Sequence, residues 1–124
     1  MSDILIVDDE RDIRELISEI LIDEGYTTRL AGTADDAMRE VTSQSPGLLI
    51  LDIWLKDSDM DGIDILKKVK SDYPEVPVVI ISGHGNIEIA VAAIKQGADD
   101  CIEKPTKIEQ LQVVIRRAME TSRL

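Results

Sequence analysis

Asp8 and Asp9 directly follow the aliphatic run Ile4 to Val7, Asp52 follows Leu48 to Leu51, Ser82 follows Val78 to Ile81, and Lys104 stands just beyond Cys101 and Ile102. Carboxylates about 4 Å apart repel by roughly 1 to 4 kcal/mol at effective dielectrics between those of water and a protein surface. If these acids meet at one corner of a fold, they need a cation. A hard divalent ion that takes oxygen ligands, keeps some waters and leaves room for phosphate oxygens meets that need, which points to Mg2+. The Ser82 hydroxyl and the Lys104 ammonium add what the acids lack, a hydrogen-bond donor and a fixed positive charge. Three carboxylates, one ammonium and one doubly charged ion leave a site near neutral, suited to receiving a phosphoryl group. A carboxylate can then act as nucleophile and become an aspartyl phosphate, because phosphoryl transfer asks a protein mainly for alignment and for charge stabilisation of the equatorial oxygens.

That chemistry exists only if the fold brings these positions together. The runs Ile4 to Val7, Thr27 to Ala31, Leu48 to Leu51 and Val78 to Ile81, with a weak one at Cys101 and Ile102, read as strands. The first, third and fourth are continuously apolar, as strands covered on both faces must be, whereas Thr27 to Leu30 is mixed enough for a sheet edge. Between the runs the period becomes helical, most clearly in Ile13, Leu16, Ile17, Ile20 and Leu21, which Gly25 brings to a stop. Ile63, Leu66 and Val69 form a shorter stripe, and Ile87, Ala90, Val91 and Ile94 another ahead of Gly97. Thr106 and Glu109 have capping-box spacing before a last helix with Ile108, Leu111, Ile115 and Ala118, and a second helix is expected at about Ala34 to Val41. Alternating strands and helices predict an α/β domain with a five-stranded parallel sheet flanked by five helices. The commonest chain path gives the flavodoxin-like order 2-1-3-4-5, with ligands beyond the carboxyl ends of strands one and three.

The chain has 124 residues, 44% of them apolar, which predicts one domain with a working core. Acids outnumber bases 25 to 14, a net charge of -11 that repels nucleic acid and anionic lipid. The sequence opens at once on a strand-like segment and holds no apolar run of membrane-spanning length, so a soluble, cytoplasmic protein is expected. A single cysteine, Cys101, excludes an internal disulfide and reads as a buried thiol. Residues 1–118 are expected to form the domain, with Met119 to Leu124 the end of the last helix or the start of a link to a further domain.

Asp8 and Asp9, Asp52, Ser82 and the Lys104–Pro105 pair, in that order at successive strand ends, resemble the receiver domain of two-component response regulators, the CheY-like fold, over about Ser2 to Ala118. The loop DIWLKDSDMDG and the segment ISGHGNIEIAVAAIKQGA are similar to receivers of the NtrC and NtrX class, which precede an ATPase and a DNA-binding domain. The resemblance implies Asp52 as phosphoacceptor. It also implies Asp9, Asp52 and the main-chain carbonyl of Trp54 as direct Mg2+ ligands, Asp8 as a ligand through water, and Ser82 and Lys104 as binders of phosphoryl oxygens. The implied donor is a phosphohistidine on a sensor histidine kinase, and the implied switching surface is helix four, strand five and helix five, where a second receiver could pair. The Lys104–Pro105 bond is implied to be cis, a minority state even before proline.

Departures from the family pattern bear on output. Cys101 stands where receivers usually carry a Tyr or Phe that moves with the hydroxyl residue, and Thr106 replaces a common Phe. The loop after Asp52 is longer than in short receivers. Trp54 and His84, two residues after Asp52 and Ser82, occupy positions that in the family influence phosphate lifetime. Two other readings compete. A phosphohydrolase with an Asp nucleophile would carry a second Asp two positions later, where this chain has Trp54. A pseudo-receiver would dock without taking phosphate. Asp9 could merely cap a helix. Asp57, Asp59, Asp61 and Gly62 imitate half of an EF-hand loop, but the position that needs a bidentate Glu is Lys68.

Overall fold

The computed structural model describes residues 3–53, 62–83, 87–104 and 107–122. Its strands are β1 (Asp3–Val7), β2 (Thr27–Ala31), β3 (Leu48–Asp52), β4 (Val78–Ser82) and β5 (Asp100–Glu103). They alternate with helices α1 (Arg11–Asp23), α2 (Ala34–Ser43), α3 (Gly62–Asp72), α4 (Ile87–Lys95) and α5 (Ile108–Ser122). The strands form one parallel sheet in the order β2-β1-β3-β4-β5, as the sequence predicts.

The sheet is buried on both faces because successive side chains of β1, β3 and β4 enter opposite layers. Leu5, Val7, Leu49, Leu51, Val78 and Ile80 pack with Ala37 and Val41 of α2, Ile65, Leu66 and Val69 of α3 and Ala93 of α4. Ile4, Ile6, Leu48, Ile50, Val79 and Ile81 pack with Ile17 and Leu21 of α1 and Leu111 and Ile115 of α5. β2 is the edge. Its Arg29 reaches Asp3 at 2.7 Å and the carbonyls of Glu40 at 2.9 Å and Gln44 at 2.8 Å, tying the edge to β1 and to the end of α2.

Local signals set the helix ends. Thr33 caps α2, its hydroxyl accepting the Asp36 amide at 3.1 Å. Gly25, at φ 96°, supplies the left-handed turn after α1 that other residues resist. Two expected stripes are narrower than drawn: Leu16 is 52% exposed, and on α4 Ala93 is buried while Val91 and Ile94 lie open. Both follow from helices that are apolar beyond the face a sheet can cover, so periodicity alone does not tell which apolar residues turn inward. α5 continues to Ser122, and Met119 packs into the core. Among the described residues no helix is long and apolar enough to cross a membrane.

Candidate functional site

The parallel register carries the chemistry to one edge. Asp52, the last residue of β3, pairs with Ile81, so Ser82 ends β4 one step further, opposite Glu103 of β5. The Lys104 amide then donates to the Ser82 carbonyl at 2.8 Å, which places Lys104 at the same edge. On the other side of β3, Val7 pairs with Leu51, so Asp8 leaves β1 level with Asp52. This is the switch point of the sheet, where the chain leaves β1 for one side and later returns to the other.

Three carboxylates meet there. One oxygen each from Asp8, Asp9 and Asp52 lie within 4.8 Å of one another. Asp8 is fully buried and Asp52 nearly so, while Asp9 is partly open. Lys104 Nζ stands 3.1 Å from Asp52 Oδ2, to which it donates a hydrogen bond, and 3.4 Å from Asp8 Oδ2. The longer approach is an ion pair without hydrogen-bond geometry, which leaves Asp8 Oδ2 a buried acceptor with no hydrogen-bond partner. Glu10 lies at the edge of the same cation, 4.0 Å away.

Asp9 is not the N-cap residue of α1. The N-cap of α1 is Glu10, which makes no side-chain capping bond; its own amide donates to Asp8 Oδ1 at 2.8 Å. The acids therefore sit just ahead of the helix start, where the helix dipole favours negative charge.

Ionisation follows from this crowding. Burial pushes the Asp8 carboxyl up to about 6, helped by the Asp52 charge and opposed by the Glu10 amide and Lys104. Burial alone would lower the Lys104 ammonium, but Asp52, Asp8 and Glu10 outweigh it and the net shift is upward. The lysine stays charged. Cys101 is raised, chiefly by burial, and its Sγ lies 3.7 Å from Ser82 Oγ in a hydrogen bond that either atom can donate. The thiol also lines a cavity of about 540 Å³ between α4 and β5, with Ala90, Val91 and Ile94. Thus the position lacking an aromatic ring is coupled to Ser82 by a thiol.

Between the ordinary value of 3.8 and about 6 the fold holds a proton on Asp8 that the unfolded chain releases. This contribution is complete below the lower value and disappears as pH rises through the upper one, a change of at most about 3 kcal/mol. Without metal, Asp8→Asn is expected to be about 1 to 2 kcal/mol more stable than wild type near neutral pH, with the gap closing towards about pH 4. Urea midpoints across that range check it, and a gap that ignores pH would refute the assignment.

The cluster fits a hard divalent ion. It offers carboxylate oxygens alone, close together, and one of them is buried without a hydrogen bond. The expected Trp54 carbonyl, the Lys104–Pro105 bond, His84, Thr106 and the acids Asp57, Asp59 and Asp61 lie outside the described residues. Sequence reasoning gave no role at this site to Glu10 or Arg14, and met Gly62 only as part of the half EF-hand pattern. The DDE run could have flagged Glu10 by charge alone. Arg14 Nη1 donates to the Asp8 carbonyl at 2.7 Å, and Gly62 touches the backbone after Asp52, contacts that no local pattern announces.

The chain is similar to known proteins over nearly its whole length. The NtrX nitrogen assimilation regulatory protein of Azorhizobium caulinodans is 57% identical over 122 residues, 98% of this chain and 27% of that protein. A putative NtrX-like response regulator of Rickettsia bellii is 49% identical over 98% of this chain and 26% of its own length. The chain thus spans about a quarter of these relatives. The crystal structure of the receiver domain of NtrX from Brucella abortus matches with a TM-score of 0.94 at 55% identity, over 96% of this chain and 99% of that one. With the family model for the response regulator receiver domain matching residues 4–116, and with acids, hydroxyl and lysine gathered at the switch point, this chain belongs to the receiver domains of response regulators, among relatives of the NtrX and NtrC class.

Proposed function

We propose that Asp52 is the phosphoacceptor and that Asp8, Asp9 and Asp52, with the main-chain carbonyl of Trp54, hold Mg2+. The observation that carries this reading is the Lys104 ammonium set between Asp52 and the buried Asp8, beside three converging carboxylates. Asp52 Oδ attacks phosphorus, a new O–P bond forms, and the P–N bond of a phosphohistidine breaks with its electron pair leaving on the imidazole. Lys104 keeps one oxygen of the incoming group paired with a cation, and Ser82 donates its hydroxyl proton to another. Bound Mg2+ supplies the positive charge that lets the acids approach phosphate. The β3 and β4 ends hold these groups in register, so little reorganisation is left for the transfer step.

The partner is a sensor histidine kinase, and the domain, α5 and its core residue Met119 included, is a switch and not a turnover enzyme. Phosphorylation shifts a two-state equilibrium, and the α4, β5 and α5 surface changes its affinity for partners, a second receiver among them. Open Val91 and Ile94 on α4 and Ile108 on α5 support that face. In a longer, cytoplasmic protein of the NtrX kind, residues 119–124 would lead towards a transcriptional output. Incubation with acetyl phosphate and Mg2+ is expected to add one phosphoryl mass per chain, and chelation to prevent it. A wild-type chain that gains no mass would favour the pseudo-receiver.

A further inference from the structure

We infer that Arg14, seated over Gly32, is a positioning residue for the divalent-cation site, aiming Asp8 and Asp9 by holding the peptide unit between them. This rests on the reading that these acids bind Mg2+.

Nearly every polar group of Asp8 is committed. Its amide donates to the Ala31 carbonyl at 3.1 Å, its Oδ1 accepts the Glu10 amide at 2.8 Å, and its carbonyl accepts Arg14 Nη1 at 2.7 Å. Because the peptide group is planar, fixing the Asp8 carbonyl also fixes the Asp9 amide and the direction in which Asp9 departs. A single guanidinium bond therefore constrains both side chains. Arg14 is itself anchored, its amide bonded to the Glu10 carbonyl at 3.0 Å in the first turn of α1. The acid turn, the helix start and the arginine form a closed loop.

Gly32 shapes the seat. A Cβ there would stand 2.7 Å from Arg14 Nη1 and 3.4 Å from its Cζ. Those atoms end a flexible side chain, so alanine would move the guanidinium while sparing the backbone. Gly32→Ala is thus a mild way to disturb the device without removing its charge.

Charge and geometry predict opposite signs. Removing a cation near a metal site should tighten Mg2+ binding, whereas loss of aim should weaken it. In Arg14→Met, Mg2+ affinity is expected to fall about 10- to 100-fold, the usual range when a group orienting metal ligands is lost. Gly32→Ala should shift it in the same direction by a smaller factor. MgCl2 titrations read by emission of the single tryptophan, Trp54, and by calorimetry, on chains shown to be folded, measure this. Hydrogen exchange at the Asp9 amide without metal should accelerate in both variants. Affinities at or tighter than wild type, with only a lower melting temperature, would make Arg14 a plain structural clamp and overturn the inference. A wild type that binds no Mg2+ would remove the underlying reading as well, which separates the two failures.

Discussion

Asp52→Asn is expected to take up no phosphoryl group under conditions that phosphorylate the wild-type chain, while metal-free stability stays within about 1 kcal/mol of wild type. Both halves come from the same contacts. The amide keeps an oxygen for the Lys104 hydrogen bond now 3.1 Å long, but loses the charge and lone-pair strength a nucleophile needs. The lost attraction to Lys104 destabilises, and the lost repulsion of Asp8, one cause of its raised pKa, stabilises. These terms oppose each other, so the net change is small. Intact mass after acetyl phosphate and Mg2+ reads the first half and urea unfolding the second. Retained phosphorylation would move the acceptor elsewhere; collapse of the fold would show the lysine pair to outweigh the crowding.

The sheet was readable because a strand covered on both faces must be apolar at every position, and Leu48–Leu51 and Val78–Ile81 are wholly buried. The acid cluster was readable for a related reason: in a parallel sheet all carboxyl ends share an edge, so polar residues that follow such runs converge whatever their separation in sequence. Helix faces were less legible. Leu16 and Val91 satisfy the helical period yet point to solvent, because period gives the spacing of a stripe and not how much of it the sheet can cover. Arg14 and Gly62 act through main-chain atoms of residues several positions or a whole loop away. Backbone acceptors are present at every residue, so nothing in a side-chain pattern marks which one will be used.

Gly62→Ala is expected to cost about 3 kcal/mol and to slow phosphorylation severely, although it adds one methyl group at the first residue of a helix. A Cβ at this position would run into Ile53 Cα and lie 2.6 Å from the Ile53 carbonyl oxygen and 2.7 Å from that of Asp52. All are main-chain atoms, with no flexible side chain to yield. The Gly62 amide also donates to the Ile53 carbonyl at 3.0 Å, so α3 begins pressed against the segment that carries Asp52, the proposed acceptor. Either that segment moves, turning Asp52 away from Asp8 and Lys104, or α3 withdraws and uncovers Ile65 and Leu66, both fully buried. Gly25→Ala is the control. There the space is open and only the φ of 96° opposes a side chain, so roughly 1 kcal/mol should be lost with phosphorylation unchanged. Urea midpoints and the rate of phosphoryl uptake at saturating Mg2+ distinguish the two sites. If Gly62→Ala loses no more than Gly25→Ala and phosphorylates at the wild-type rate, then the close approach of α3 to the end of β3 does not hold the acceptor in place.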